Sequence, residues 1–290
     1  MILLGINTSG LIHFGNYITL IKPVLKIKKK NIFLADLHCL SKNKHYKNVN
    51  LNKLTSSLIF KSFFKKKIFL HQSNHKNILF LFWVISCFYN INKTKNFLIV
   101  KDKINLSIAK VCYPILMCSD IITINNFFTF IGIDQIQHIE LYNKIVNKIS
   151  KYINVFFLKK NKFIINNKVL YSYNKKKMSK SNKNDLFLFS NYKNLLLFFN
   201  NFFITLKRKK SIFNFFELVT DTKISFKNSF NKNKIYIVEN IYFKFLKKKL
   251  VFINLLKNLN FYLKKKKKNN SFFNNIILNN IIKIKQLFNI

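Results

Sequence analysis

Short apolar runs, separated by longer segments with helical spacing, constrain the fold of this 290-residue chain more than any other feature. Polar or turn-forming residues follow each of the four runs, which are Met1–Ile6, Ile32–Ala35, Lys67–Leu70 and Phe127–Ile131. Strands that alternate with helices predict an α/β protein with a doubly wound parallel sheet. Ligands bind such sheets at the carboxyl ends of the strands, where Gly5, Asp36 and Gly132 lie.

The chain changes in character after Asp185. Neither glycine nor proline occurs beyond this point, and the segments with helical spacing are Lys193–Phe203, Lys234–Phe261 and Phe272–Phe288. This pattern predicts a C-terminal α-helical domain. We therefore expect a first domain over residues 1–185 and a helical domain over residues 186–290.

The charge of the chain is one-sided. There are 52 Lys and Arg residues against 9 Asp and Glu residues, which gives a formal net charge of +43. With 49% hydrophobic and 16% aromatic residues, the chain has the material for a core and is not a disordered polycation. A basic balance indicates a polyanionic partner such as a nucleic acid.

The bias toward Lys, Asn, Ile and Phe is what A/T-rich codons produce, and it predicts the genome of a reduced bacterial symbiont. Part of the charge then reflects mutation, and lysine runs such as Lys264–Lys268 are interpreted as solvated faces. Scarce residues become informative for the same reason. The four glycines are Gly5, Gly10, Gly15 and Gly132.

The cysteine pattern and the hydropathy predict a cytoplasmic protein. None of the four cysteines has Cys-x-x-Cys spacing, so the sequence predicts neither a metal site nor a disulfide framework. The longest apolar run, Ile78–Tyr89, is shorter than the roughly 18 residues that a membrane span requires. The N-terminus also lacks the pattern of a secretory leader, and we expect no membrane association.

A first candidate motif connects the first strand to a helix that begins near Gly15. It reads Gly5-Ile-Asn-Thr-Ser-Gly-Leu-Ile-His-Phe-Gly-Asn-Tyr17. Glycine at a helix N-terminus allows a phosphate or a flat ring to approach the backbone, and His13 and Asn16 can donate hydrogen bonds to phosphate oxygens. Taken alone, a glycine-rich turn that simply enters a helix explains the pattern equally well.

A second candidate motif, Lys177-Met-Ser-Lys-Ser181, follows the strand-like segment Lys168–Tyr173. Two lysines and two hydroxyls within five residues can bind a polyphosphate and neutralise charge on a leaving group. On composition alone, a solvated basic loop is the simpler interpretation. The presence of the first motif in the same chain favours the phosphate site.

Together, the two motifs resemble the signatures of the class I aminoacyl-tRNA synthetases. The resemblance is closer still to the bacterial tryptophanyl enzymes, and three further blocks carry it in the same order: Ala35-Asp-Leu-His38, Tyr113-Pro-Ile-Leu-Met-Cys-Ser-Asp120 and Gly132-Ile-Asp-Gln-Ile-Gln-His-Ile-Glu140. Weaker similarity continues through Phe213–Asp221 and Lys234–Leu256, so the resemblance covers nearly the whole chain.

The resemblance implies a Rossmann-like catalytic domain that activates tryptophan with ATP and Mg²⁺ and transfers it to tRNA(Trp). His13, Asn16, Lys177, Lys180 and Ser181 correspond to catalytic residues, with Lys180 as the main contact to the transition state. The remaining ATP-binding positions implied by the family are Thr8, Ser9, Gly10, Gly15, Gly132, Asp134, Gln135, Met178 and Ser179.

The resemblance also implies a tryptophan pocket. Indole nitrogen is a donor only and an ionised carboxylate is an acceptor only, so Asp120 at the base of the pocket would select tryptophan over phenylalanine. Met117 lies one helical turn earlier on the same face. The other implied contacts are Gly5, Asn7, His38, Tyr113 and Gln135.

Two alternatives remain open at the level of sequence. One is a tyrosine-specific synthetase, because those enzymes share the fold and also use an acidic residue. The other is a catalytically decayed, basic RNA-binding protein. The family further implies a homodimer.

Overall fold

The computed structural model describes most of the chain, namely residues 1–41, 46–64, 69–90, 107–125, 128–151, 161–205, 210–222, 230–265, 280–283 and 285–286. The chain divides into two compact units, and both are discontinuous in sequence. The sheet unit comprises Met1–Ser9, Lys26–Lys53 and Lys67–Asn167. The helical unit comprises Gly10–Leu25, Leu54–Lys66 and Lys168–Ile290.

The sheet unit contains a five-stranded, wholly parallel sheet. Its strands are β1 (Ile2–Asn7), β2 (Lys30–Ala35), β3 (Phe69–His71), β4 (Phe128–Gly132) and β5 (Lys162–Asn166). Their order is β3-β2-β1-β4-β5, so the winding reverses between β1 and β4. This order confirms the doubly wound α/β fold. In such folds ligands bind where the winding reverses, which here is at the carboxyl ends of β1 and β4.

The described helices include those predicted near Gly15, at Lys193–Phe203 and at Lys234–Phe261, together with others that the sequence did not predict. They are α1 (Phe14–Asn16, continued by a π-helical turn over Tyr17–Ile21 and by Lys22–Val24), α2 (Tyr46–Phe63), α3 (Lys76–Phe88), α4 (Ile108–Ile124), α5 (Ile136–Ile149), α6 (Tyr192–Thr205), α7 (Lys210–Thr220) and α8 (Phe230–Lys265). None of the helices described here combines the length and apolar character that crossing a bilayer demands.

One strand prediction is wrong. The segment Lys168–Tyr173 is not a strand of the sheet, whose fifth strand is β5 instead. The backbone groups of this segment are used locally, because Leu170 O accepts from Met178 N at 2.9 Å and Ser172 N donates to Lys176 O at 3.0 Å. The segment therefore pairs with the basic loop that follows it, whereas β5 pairs with β4.

Two further predictions about the C-terminal part remain open. The predicted helix Phe272–Phe288 lies largely outside the described residues, although 280–283 and 285–286 are helical. The predicted domain boundary after Asp185 stays a prediction. The compact helical unit also takes in Gly10–Leu25 and Leu54–Lys66 from the earlier part of the chain.

In the sheet unit, α3, α4 and α5 bury an aliphatic cluster. Its central members are Ile85, Ile115, Leu141 and Ile145, each at most 4% exposed, and Met117 packs at its margin. Burial of such side chains contributes roughly 1.5–3 kcal/mol each. This cluster fixes α4, the helix that carries Tyr113, Met117 and Asp120.

In the helical unit, aromatic side chains anchor the start of α1. Phe14 is 1% exposed, and its ring centroid lies 5.2 Å from that of Phe245 on α8 and 6.0 Å from that of Phe215 on α7. Lys22 adds an electrostatic contact: it donates to Leu218 O and pairs with Asp221 at the C-terminal end of α7. Cations are favoured at that end of a helix.

Candidate active site

The first motif places His13 at the N-cap of α1. His13 Nδ1 accepts a hydrogen bond from Asn16 N at 3.3 Å, and Asn16 Oδ1 accepts from His13 N at 3.2 Å. This reciprocal pair is a capping box. Because Nδ1 is an acceptor, the ring proton of a neutral imidazole lies on Nε2, which is thereby available as a donor.

His13 is held in its neutral form. Burial, together with the nearby positive charges of Lys180 and Lys177, lowers its pKa from 6.5 to about 3. An imidazolium would be both desolvated and repelled at this position. His13 therefore offers one neutral N–H donor beside two ammonium groups.

Two glycines make room for this arrangement within the helical unit. A Cβ atom on Gly15 would lie 2.8 Å from the His13 ring and 3.5 Å from Met178 Cβ. A Cβ atom on Gly10 would lie 2.9 Å from Lys180 Nζ. The first motif and the lysine-rich motif are thus in direct contact. At Gly15 the His13 ring leaves no room for a Cβ atom, whereas at Gly10 the neighbour is the flexible end of Lys180, which can move aside.

Backbone hydrogen bonds attach the first motif to the segment after the lysine-rich loop. Phe14 N donates to Leu186 O at 3.0 Å, and Leu188 N donates to Ile12 O at 3.1 Å. The lysine-rich loop itself is anchored by Met178, which is 2% exposed. Lys177 is exposed and Lys180 is half-buried, so both ammonium groups can meet a solvent-borne anion.

Asn184 orders the lysine-rich loop, and sequence reasoning missed it. Its side chain is buried, its Oδ1 accepts from Ser179 N at 2.9 Å, and its Nδ2 donates to Lys177 O at 3.3 Å. The same Nδ2 donates to Asn174 Oδ1 at 2.8 Å. Asparagine is so common in this sequence that Asn184 carries no compositional signal.

Other residues of the two motifs are placed as follows. Ser179 is half-buried, and the backbone of Lys180–Asn182 forms a single 3₁₀ turn. The side chain of Ser181 lies outside the described part of the chain. Thr8 and Ser9 belong to the sheet unit, where Thr8 is fully buried and Ser9 N donates to Asn7 Oδ1 at 2.9 Å.

The predicted pocket of the sheet unit contains an open position on its central strand. Gly5 is exposed, and a Cβ atom there would have no neighbour within 4 Å. An exposed glycine on the middle strand of a parallel sheet is unusual, because both faces of such sheets are normally covered. The structure therefore leaves open space beside the backbone of Gly5.

Asp120 is the buried carboxylate of this unit. It is 4% exposed, and its Oδ2 lies 3.0 Å from His38 Nε2. Gln72 Nε2 donates to both carboxylate oxygens, at 2.8 and 3.0 Å. Burial raises the pKa of Asp120, although the hydrogen bonds from His38 and Gln72 oppose that rise.

Gln72 is the second residue that sequence reasoning missed. It is fully buried, and its Oε1 accepts from Leu37 N at 3.0 Å and from His38 N at 3.3 Å. A signal did exist, since Gln72 is the first residue after β3 and polar residues at strand carboxyl ends bind ligands. The sequence predicts ligand contacts at strand ends only for Asp36, Gly132 and the first motif.

Tyr113 packs against His38, the histidine that contacts Asp120. The centroid of Tyr113 lies 4.3 Å from that of His38 and 5.6 Å from that of His138. Tyr113, Met117 and Asp120 are spaced by four and three residues along α4, so they share one face of that helix. The structure therefore brings together the predicted residues His38, Tyr113 and Asp120.

The third block lies where β4 ends and α5 begins. Gly132 is the last residue of β4, and Ile133–Gln135 form a 3₁₀ turn that leads into α5. Gln135 is half-buried, and the side chain of Asp134 lies outside the described part of the chain. Gly132 and the turn that follows it thus lie at the carboxyl end of β4, where a ligand of a doubly wound sheet is expected.

The depressed pKa of His13 predicts a pH-dependent stability. Between pH 6.5 and about 3 the unfolded chain binds a proton at His13 that the folded chain excludes. The free energy of unfolding should therefore fall as the pH is lowered through this window, by up to about 1.4 kcal/mol per pH unit from this residue.

His13→Asn isolates that contribution, because asparagine can still cap α1 but does not titrate. Urea unfolding at pH 7.5 and pH 5 should show a smaller acid destabilisation in His13→Asn than in the wild type. Equal destabilisation of the two proteins would contradict a neutral, buried His13.

The chain is similar to known proteins in both sequence and fold. A family model described as tRNA synthetases class I (W and Y) matches residues 1–264. The tryptophan–tRNA ligase of Campylobacter jejuni (strain RM1221) is 29% identical over 205 residues, which are 67% of this chain and 64% of that protein. The tryptophan–tRNA ligase of Wigglesworthia glossinidia brevipalpis is 30% identical over 194 residues, which are 62% and 58% of the respective chains.

The chain thus spans less than two thirds of the length of these curated relatives. In three dimensions the similarity is more extensive. The crystal structure of the Campylobacter jejuni tryptophanyl-tRNA synthetase complexed with ADP and tryptophan superimposes with a TM-score of 0.76 at 22% identity, over 100% of this chain and 99% of that one. That likeness establishes the fold, and the family model establishes the relationship: the chain belongs to the class I tRNA synthetases of the tryptophan and tyrosine family.

Proposed function

We propose that this protein attaches tryptophan to tRNA(Trp) through a tryptophanyl-adenylate. The observation that carries the proposal is Asp120, a buried carboxylate on α4 that faces two donors and keeps acceptor capacity for a third. Two relatives named tryptophan–tRNA ligase and a structural neighbour complexed with ADP and tryptophan support it.

In the activation step, an oxygen of the tryptophan carboxylate attacks the α-phosphorus of ATP. The bond between that phosphorus and the bridging oxygen to the β-phosphate breaks, and pyrophosphate leaves with the bonding electrons. ATP enters as its Mg²⁺ complex and is a substrate. The protein's task is to position the reactants and to stabilise charge.

The helical unit supplies the groups for this stabilisation. Lys177 and Lys180 offer two ammonium groups to the developing charge on pyrophosphate, and His13 offers a neutral Nε2–H to a phosphate oxygen. Gly10 and Gly15 let these groups approach one another. In the second step the terminal adenosine hydroxyl of the tRNA attacks the aminoacyl carbonyl and AMP leaves.

Selection of tryptophan follows from the unused acceptor capacity of Asp120. Gln72 contacts both oxygens and His38 contacts Oδ2, which leaves a lone pair on Oδ1 for the indole N–H. Phenylalanine has no donor and would leave that acceptor unpaired, which a polar site rejects strongly.

Amino-acid-dependent exchange between ATP and labelled pyrophosphate tests the activity. Tryptophan should support exchange, and phenylalanine and tyrosine should not. Lys180→Ala should lower the rate by about 100-fold or more, since it removes a charge-stabilising contact of the transition state. Lys193→Ala, which changes an exposed lysine on α6, is the matched control and should leave the rate unchanged.

Other outcomes of this experiment are equally informative. Exchange driven by tyrosine alone would identify a tyrosine-specific enzyme. Binding of tRNA without exchange for any amino acid would identify a decayed RNA-binding protein. Either result would overturn the proposed tryptophan activity.

The tRNA partner accounts for part of the net charge of +43. Lys247 and Lys257 are exposed on α8, where they can contact the phosphates of a tRNA. Each such contact releases counterions from the nucleic acid. This function also places the protein in the cytoplasm, where tRNA is charged.

Binding of tRNA(Trp) should therefore weaken steeply as salt rises. Lys247→Ala and Lys257→Ala should each reduce the slope of log K against log salt by about 1. Lys151→Ala, an exposed lysine of the sheet unit, serves as the control. Filter binding from low to high salt measures this slope. A slope near zero for the wild type would show that the positive charge does not contribute to tRNA binding.

We further propose that a second copy of the chain covers an apolar face of α3. Leu79, Phe80 and Trp83 are 49%, 71% and 69% exposed, and their spacing places them on one side of that helix. Apolar groups of this size rarely remain exposed together on a monomer. The same helix contributes Ile85 to the buried cluster of the sheet unit, so its exposed face is rigidly held.

Trp83→Glu should therefore shift the protein from dimer to monomer, because burial of an unpaired carboxylate at the interface is unfavourable. Light scattering after size exclusion gives the mass directly. Leu197→Glu, at a residue 53% exposed on α6, is the matched control and should remain dimeric. Trp83 is the only tryptophan of the chain, so a blue shift of protein fluorescence with concentration reports the same association.

A further inference from the structure

Gln72 occupies a central position in the sheet unit although no motif contains it. Its side-chain amide is fully buried, and both its carbonyl oxygen and its NH₂ group form hydrogen bonds. Oε1 accepts from the backbone of Leu37 and His38, and Nε2 donates to both oxygens of Asp120. One side chain thus connects the ends of β2 and β3 to the carboxylate on α4.

The orientation of this amide follows from its neighbours. Two backbone N–H groups face one end and can be satisfied only by the carbonyl oxygen. The Asp120 carboxylate faces the other end and, when ionised, can be satisfied only by the NH₂ group. Exchanging the two ends of Gln72 would place donors against donors and acceptors against acceptors.

The consequence for Asp120 is geometric. The hydrogen bonds from Gln72 reach both oxygens, at 2.8 and 3.0 Å, so the plane of the carboxylate cannot rotate freely. His38 Nε2 then reaches Oδ2 alone, at 3.0 Å. The remaining lone pair lies on Oδ1 in a fixed direction.

We propose that Gln72 is a specificity-determining positioning residue, which holds Asp120 as an oriented acceptor for the indole N–H. The proposal rests on the proposed tryptophan activity and deepens it. Gln72 itself touches no substrate in this account. It acts by controlling the orientation and the charge of the residue that does.

The charge of Asp120 depends on all the titratable groups around it. His38 follows β2 and donates to it, Asp36 at the end of β2 repels it, and Cys118 lies on the same helix. Because burial already raises the pKa of Asp120, loss of the Gln72 donors should raise it further. A protonated Asp120 no longer presents a carboxylate to the indole.

Two substitutions of Gln72 separate this role from simple packing, because they predict opposite pH dependences. Gln72→Met removes both donors, so the fall in kcat/KM for tryptophan on the acidic side should move to higher pH. Gln72→Glu replaces the amide with a carboxyl group that can donate to Asp120 only while the pair shares a proton. Its kcat/KM should therefore be retained at low pH and lost as pH rises.

At neutral pH, each variant should raise KM for tryptophan about tenfold or more and change kcat less, because a buried acceptor loses its orientation. The preference for tryptophan over tyrosine and phenylalanine should fall as well. Gln286→Met, an exposed glutamine outside the sheet unit, is the control for the substitution itself. Thermal unfolding of each variant shows that it folds, and if Gln72→Met does not fold, Gln72→Glu still decides the question.

The two proposals fail in different ways. A wild-type enzyme that does not activate tryptophan overturns the proposed function. An active wild type whose Gln72→Glu variant loses activity equally at every pH, or keeps the wild-type profile and preference, overturns the role of Gln72.

Discussion

A carboxylate buried in protein must be surrounded by donors, and in the sheet unit the need to satisfy Asp120 organises the ends of three secondary-structure elements. Asp120 on α4 takes hydrogen bonds from His38 after β2 and from Gln72 after β3. Without these donors, ionisation at 4% exposure would be strongly unfavourable. Asp36 repeats the arrangement nearby: Lys53 and Ser73 hold the pKa of its carboxyl below the usual value although burial opposes ionisation.

The helical unit solves a different problem, which is to keep positive groups close together. Lys177, Lys180 and a buried histidine repel one another if all are charged, and the structure avoids this by keeping His13 neutral. Because like charges repel, they cannot hold this segment in place. Aromatic packing of Phe14 against α7 and α8 fixes the start of α1 instead. The two units therefore rely on different physical effects: hydrogen bonds to a buried carboxylate in the sheet unit, and desolvation of a buried histidine in the helical unit.

Sequence reasoning succeeded where the signal was periodic or rare. The strands around Gly5, Asp36 and Gly132 were predicted because apolar runs ended in turn residues, and the glycines of the first motif stood out in a chain that has only four. The strand at Lys168–Tyr173 was wrong because its backbone partners lie in the adjacent loop, which periodicity does not encode. Gln72 was missed because it acts through hydrogen bonds to residues distant in sequence and belongs to no spaced pattern. Asn184 bonds to residues of the neighbouring loop, but asparagine is too common in this chain for it to stand out.

The discontinuity of the two units has a consequence for synthesis on the ribosome. The sheet unit can be complete once Asn167 has emerged, since its last strand is then available. Phe14 must wait for its partners Phe215 and Phe245, which are made some two hundred residues later. The part of the first motif around His13 is therefore among the first segments translated and among the last that can be ordered. A chain released early would lack this ordered segment however well its sheet had formed.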